Sequence, residues 1–371
     1  MDQGGFLDAI VWFVMLTILF YLNREIEMMR LVSEIERYLR LYKATRDKAL
    51  NTTLSEFKTL VARQKKGEVD VKKLEDKVTA LIELVFIPPV SLDPYGIVRK
   101  LKHLLLSSEE VLKEELRRLA PKATDTEIEN LLNMLNATSL LNQIYKAVDH
   151  IYRIGRKFKS IWILMQLNAQ LPFITEEVKA LEGAVEAFSK GLPIGDSIGP
   201  MVAAKLLHEY NASKVTEPVE HTVVGKFKFK GREVIVIKAK GPGGSTGRID
   251  DALRWVLNRY KADVNAIITV DAALKLEGEE SGMVAEGFGV AMGGVGVERF
   301  NIEKIATEYG IPLYAILIKM SEEEILSVID EKLYDSVDKA ISIIKRTIED
   351  RIPEGGRAIV IGVGNTVGVY P

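Results

Sequence analysis

Five short apolar runs punctuate the second half of the chain, at residues 222–229, 233–239, 266–270, 313–318 and 358–361. Each has the length of a strand, and the later ones are apolar throughout, as strands buried on both faces are. Stretches with helical spacing lie among them, at 197–208, 249–260, 301–309 and 321–350. Strands that alternate with helices predict a mostly parallel sheet between two helical layers. The first run sets Lys226, Lys228 and Lys230 against Phe227 and Phe229, the pattern of an edge strand with one wet face, and Gly231 begins the turn into the second.

The first half reads differently. From Arg24 to about Ala169 the apolar residues recur at helical intervals, as in Met28, Leu31, Ile35 and Leu39 of a helix over 25–65. A second helix, 71–87, stops at Pro88-Pro89, and Asp93-Pro94-Tyr95-Gly96 is a turn into a third over 97–106. Ser107-Ser108-Glu109-Glu110 and Thr124-Asp125-Thr126-Glu127 are N-terminal cap signatures for two more. A long helix over 140–167 completes a bundle. In it Arg153, Arg156, Lys157 and Lys159 read first as a solvated face, with lipid headgroups as the alternative.

Residues 9–22 carry no charge, and adding 4–8 brings the segment to the ~17–20 residues a bilayer requires. Asp2 and Asp8 precede it and Arg24 and Arg30 follow. The positive-inside rule then places residues 23–371 in the cytoplasm, a single-pass protein of the cell membrane. No basic n-region or small-residue cleavage site marks a signal peptide. The competing reading is a buried or oligomer-forming helix, so a homo-oligomer stays open. The expected units are a transmembrane anchor (1–22), a helical domain (23–172) and an α/β domain (173–371). The chain is thus an α plus α/β protein.

Composition narrows the chemistry. A net charge of −2 gives nucleic acid no support as a partner. The absence of cysteine excludes disulfides, thiolate catalysis and cysteine-based metal sites. The four histidines, His103, His150, His208 and His221, show no metal-ligand spacing.

Two aspartates remain. Asp196, in Gly195-Asp196-Ser197-Ile198-Gly199-Pro200, opens the helix over 197–208, and Asp271, in Thr269-Val270-Asp271-Ala272-Ala273, closes the strand over 266–270. Helix starts and strand carboxyl ends meet along one edge of an open α/β sheet, where ligands bind. Two carboxylates there, about 4–8 Å apart, would share a proton, hold a divalent metal or activate water. Asp196 also has a plain alternative as a helix N-cap.

Gly243-Gly244-Ser245-Thr246-Gly247-Arg248 reads either as an anion-binding loop at a helix start or as a tight structural turn. Residues 276–299 hold seven glycines, and Gly293, Gly294 and Glu298 are candidates within an ordered loop beside the site. Gly364 and Asn365 are candidates in the loop after the last strand.

In length and layout the chain resembles an archaeal family of uncharacterised membrane-anchored proteins, which implies no function. Residues 191–320 resemble the phosphorylase/hydrolase-like fold of spore germination protease and the hydrogenase maturation endopeptidases. The matching pieces are the "GDSIGP" helix opening at 195–200, the Gly-Gly-Ser-Thr-Gly loop at 243–247, Ile267-Ile268-Thr269-Val270-Asp271-Ala272, and Gly289 to Gly296 followed by Gly310-Ile311-Pro312. The resemblance implies aspartate-dependent proteolysis of a protein or peptide substrate through Asp196 and Asp271, or a metal held there. The maturation peptidases' later histidine has no counterpart between 222 and 371. A non-catalytic binding or scaffold module that keeps the fold is the alternative. The strand that should precede Asp196 is missing, and residues 359–363 fit its place, so the domain is expected to be circularly permuted, with that strand at the centre of the sheet.

Overall fold

The computed structural model describes residues 3–63, 71–260 and 263–370. Met1, Asp2, Gln64, Lys65 and Pro371, which the expected segments include, lie outside the described residues.

Helix α1 (Gln3–Ala62) is unbroken. From residue 10 to 22 every large apolar side chain is exposed, and the helix is long and apolar enough to cross a membrane, the only such helix among the described residues. Burial begins at Leu31 and continues through Ile35, Leu39, Tyr42, Leu54, Phe57 and Leu60, one stripe at helical spacing. The stripe packs on α4 (Asp125–Lys157) and α5 (Ile161–Lys190). Helix α4 runs antiparallel to α1, as the Arg63–Glu127, Arg46–Asn142 and Glu36–Tyr152 contacts show. Helix α5 runs parallel to it, since Asn168 meets Glu34, Tyr42 donates to Leu171 O and Lys48 meets Glu182. Helices α2 (Val71–Ile82) and α3 (Ile97–Leu119) complete the bundle.

Several sequence expectations are corrected here. The helix over 71–87 ends at Ile82. Ser107 and Ser108 start nothing: their hydroxyls donate back to Leu104 O and Leu105 O inside α3. The helix expected over 140–167 is two helices, broken at Phe158–Ser160, where Lys159 takes φ +48° and Ser160 caps α5 through the amide of Ile163. The boundary at 172/173 falls inside α5, which carries Pro172 and ends at left-handed Gly191. The Thr124–Glu127 capping box forms as expected.

The second half is a three-layer α/β domain. Its sheet has the order β1-β2-β3-β7-β4-β6-β5. The strands are β1 (Ser213–Val219), β2 (Thr222–Phe229), β3 (Arg232–Ala239), β4 (Ala266–Leu274), β5 (Val284–Phe288), β6 (Leu313–Met320) and β7 (Arg357–Gly362). The four inner strands β3, β7, β4 and β6 are parallel, and β1, β2 and β5 add antiparallel margins. The last strand in the chain therefore sits at the centre, with Ile235 opposite Ile359 on one side and Ile267 opposite Ile359 on the other. Strand β2 is not the edge, because β1 covers it. Alternation along the strands divides the core. Val236, Ile268 and Val360 face α6 (Ile198–Glu209) and α10 (Glu331–Arg351), while Ile237, Ile267 and Ile361 face α7 (Ile249–Arg259) and α8 (Val297–Tyr309). Between β6 and α10 a short α9 (Glu322–Leu326) splits the helix expected over 321–350.

Candidate active site at the carboxyl edge of the sheet

Asp196 lies in a single 3-10 turn, Gly195–Ser197, that leads into α6. Its carboxylate caps neither that turn nor α6. Instead Asp196 Oδ2 accepts the amide of Asn365 at 2.8 Å, across the edge from the loop that follows β7. Glycines make this crossing possible. A Cβ on Gly364, which takes φ +128°, would stand 1.9 Å from Asp196 O. On Gly199 it would stand 2.2 Å from Val363 O and 2.4 Å from Val270 O, so the first turn of α6 rests directly on β4 at Val270 and on Val363, the residue after β7. Those two points are tied by Val363 N donating to Val270 O. The side chain of Asn365 turns inward and accepts the amide of Val367.

Asp271 follows Val270 on β4. The strand does not end there but continues to Leu274. Asp271 is 4% exposed. Its Oδ1 accepts from Ala272 N at 2.8 Å and its Oδ2 from Gly293 N at 3.1 Å. Thr269, two residues earlier on the same face, accepts from Ala291 N at 2.8 Å. The glycine-rich segment expected to be an ordered loop beside the site is thus pinned along β4 at two points.

The two carboxylates affect each other. Burial raises the pKa of Asp196 above the ordinary carboxylate value, opposed by the Asn365 amide. Burial also raises Asp271, to well above the ordinary value, and the charge of Asp196 adds to it, against the two amides it accepts. Both shifts point the same way, so the pair takes up a proton more readily than free carboxylates do. The charge of one raises the other, so the two carboxyls titrate together rather than independently.

The remaining candidates take various positions. In the Gly243–Arg248 loop the amides of Gly244, Ser245, Gly247 and Arg248 go to Asn130 Oδ1, Gly243 O, Ser245 Oγ and Thr222 Oγ1. Arg248 pairs with Glu220. These donors serve the fold, and the loop is a structural clamp between α4 and the C-terminal tail. It still borders the site, since a Cβ on Gly244 would stand 3.3 Å from Asn365 Oδ1. Thr246 carries no contact with the aspartates. Gly294 is exposed, with open space around it. Glu298 belongs to a different cluster, at the starts of α7 and α8. Burial and then the charge of Asp250 push its pKa to about 7. Asp250 itself, 2% exposed, accepts from Lys102 of α3 and from Asn301, and its Oδ1 has no partner.

Among the described residues no three His, Cys, Asp or Glu side chains gather to hold a metal. Asp196 and Asp271 supply two ligands, short of the three protein ligands of a catalytic zinc site. Depressions of about 590 Å³ on α1, around Ala44, Lys48 and Glu56, and of about 130 Å³ beside Phe288 and Tyr314 lie away from both aspartates.

Two residues beyond the sequence candidates matter at this edge. Lys238, opposite Gly362, is fully buried and donates to Ala239 O and Lys240 O, and burial lowers its pKa to about 8. Gly199 sets how closely α6 approaches. A lysine ending an apolar strand and a glycine in a helix's first turn were the available signals.

The chain passes from bundle to sheet at 191–194, and the family comparison divides it at the same place. A family described as protein of unknown function (DUF1512) N-terminal domain matches residues 9–191, and its C-terminal counterpart matches residues 194–370. The chain belongs to the DUF1512 family. No curated protein sequence matches it. Peptidyl-tRNA hydrolase from Acinetobacter baumannii is similar to part of the DUF1512 chain, with 15% identity and a TM-score of 0.32 over 43% of this chain and 80% of that one. A second peptidyl-tRNA hydrolase structure, a complex with N-propanol, is similar at 13% identity and a TM-score of 0.31, over 42% of this chain and 79% of that one.

Proposed function

We propose that the protein is a membrane-anchored hydrolase of peptide-like bonds, in which Asp196 and Asp271 together activate water and protonate the substrate. The supporting observation is the pair itself: two carboxylates at the sheet's carboxyl edge, with both pKa values raised and the charge of one raising the other. Such a pair places a protonated and an ionised carboxyl side by side at the pH of use. The ionised partner takes a proton from water as it attacks the carbonyl carbon, and the protonated partner donates to the carbonyl oxygen or the leaving amine. The sequence resemblance to the germination-protease group at Asp196 and Asp271 points to the same bond class. The uncharged segment before Arg24 supports an anchored chain with its bulk on the cytoplasmic side.

A binding or scaffold module is the second reading, and one observation favours it. Each described contact of the two carboxylates is with a main-chain amide, so both also hold the loops together. Activity separates the readings. The full chain is incubated with an unfolded protein substrate and a peptide library, and cleavage is followed by mass spectrometry. Asp196→Asn, which can keep the Asn365 contact through its remaining oxygen, should lower cleavage by about 10²–10⁴-fold, the usual weight of a general acid or base. Cleavage that survives both Asp196→Asn and Asp271→Asn puts the chemistry elsewhere. A folded wild type that binds peptides without cutting them supports the module.

A further inference from the structure

The break between α4 and α5 lies at the height where α1 leaves its apolar segment. Arg24 Nη2 reaches Lys159 O at 3.5 Å, and Arg24 is two residues past Leu22, a rise of about 3 Å. The register of α5 agrees, since Asn168 meets Glu34 and the start of α5 therefore lies near residues 24–28 of α1. On the side of α1 away from the bundle the apolar surface continues past Leu22. Ile26 is 62% and Met29 65% exposed, one and two turns further on. The turn thus lies at the level where an apolar stripe gives way to a packed bundle.

Its own surface has the same mixed character. Phe158 is 68% and Trp162 64% exposed, and both are large apolar groups on a solvent-facing turn. Lys157 lies over the Phe158 ring, and among the described residues neither Lys157 nor Lys159 has a carboxylate partner. Arg153 and Arg156 are engaged with Asp149 and Glu36. Exposed aromatics beside unpaired cations are the composition of a membrane–water interface.

We propose that the α4–α5 turn is a second membrane contact, in which Phe158 and Trp162 enter the acyl–headgroup boundary and Lys157 and Lys159 bind anionic phospholipid headgroups. The proposal rests on residues 4–22 spanning the bilayer. With that span fixed, the turn is tethered at the surface, and a modest lipid affinity holds the bundle at a set tilt.

Tryptophan fluorescence of the full chain in vesicles tests it. The chain has three tryptophans, Trp12, Trp162 and Trp255. A Trp12→Phe/Trp255→Phe variant reports Trp162 alone, and the two other single-tryptophan variants report the span and the α/β domain. The vesicles are phosphatidylcholine with brominated acyl chains, with or without phosphatidylglycerol. The expected result is bromolipid quenching of Trp162 several-fold above that of Trp255, and stronger with phosphatidylglycerol. At about five-fold per lysine, Lys157→Ala with Lys159→Ala should lower the bound-to-free ratio of the turn about 25-fold. Lys157→Arg with Lys159→Arg should restore quenching. If Trp12 is quenched by lipid but Trp162 only by aqueous iodide, this proposal fails and the span stands. If Trp12 also escapes lipid, the span fails and takes the proposal with it. Quenching of Trp162 that ignores both phosphatidylglycerol and the lysines overturns the headgroup assignment.

Discussion

Gly199→Ala sets two physical effects against each other at one atom. In an exposed helix, alanine is worth about 1 kcal/mol more than glycine, so propensity alone predicts a more stable protein. The structure predicts the reverse. The added Cβ would stand 2.2 Å from Val363 O, 2.4 Å from Val270 O and 2.9 Å from Val363 N. All three are main-chain atoms, of Val270 on β4 and of Val363 just past β7, so no side chain can swing aside. Restoring a normal carbon–oxygen distance of about 3.3 Å requires α6 to retreat by about 1 Å. Overpacking of a closed site costs about 1–3 kcal/mol, and a backbone wall places this case at the upper end. After the propensity gain, the net loss is about 2 kcal/mol, or a fall in melting temperature of about 4–8 °C. The assay is thermal unfolding of the detergent-solubilised full chain, read through Trp255 on α7. Gly287→Ala is the control: nothing stands within 4 Å of its Cβ, and it should change stability by less than about 0.5 kcal/mol. A Gly199→Ala protein that melts at or above the wild type would refute the close contact of α6 with β4 and β7.

Asp196→Asn and Asp271→Asn should differ in stability. The first removes a buried negative charge that repels Asp271 and should stabilise the fold at neutral pH; the second leaves the amide of Ala272 or Gly293 without an acceptor and should cost about 1–3 kcal/mol in chemical denaturation. Glu298→Gln should stabilise the protein above pH 7 and converge with the wild type in acid. The raised pKa of Glu298 contributes stability that is complete below its unfolded value of about 4.3 and is lost as the pH rises through about 7, which a pH series of melting temperatures reads directly. Truncation before Arg357 should unfold the α/β domain by circular dichroism. Ile359, Val360, Ile361, Val363, Val367 and Val369 are all buried and at ~1.5–3 kcal/mol each together match the ~5–15 kcal/mol stability of a domain, whereas removal of 72%-exposed Tyr370 and the residue after it should be tolerated.

Where the sequence was legible, local pattern and tertiary burial agreed. The runs that became β2, β3, β4, β6 and β7 are apolar because the sheet buries them, so hydrophobicity alone located them. The two missed strands are the sheet's edges. Strand β1 carries Lys214, Thr216, Glu217 and Pro218, and β5 is a short run with a glycine inside a glycine-rich segment. An edge strand pairs on one side only and has little need of apolar residues. The helix breaks were misplaced for the opposite reason. Ser107 and Ser108 have cap chemistry but turn back on α3, and Pro172 rides inside α5, whereas the true break at Lys159 has neither glycine nor proline. Local preferences of about 1 kcal/mol yield to packing of a whole helix face.

The candidate site shows a further limit of local reading. Asp196 has the sequence setting of a helix cap, yet its carboxylate serves a loop that lies far along the chain. The glycine-rich loop 243–248 looks like a phosphate cradle, but the amides of Gly244, Ser245, Gly247 and Arg248 are used within the protein. Gly244 is held on both sides by α4: its amide donates to Asn130 Oδ1, and Asn133 Nδ2 donates to its carbonyl oxygen. Thr366 Oγ1 then lies 2.8 Å from Gly243 O and 2.9 Å from Ser245 O, just past Asn365. A continuous path of hydrogen bonds and close contacts therefore runs from α4, through this loop and the C-terminal tail, to the carboxylate of Asp196. A shift of α4 relative to the sheet would act on the loop that positions Asn365, so the packing of the bundle and the geometry of the aspartate pair are linked through these contacts.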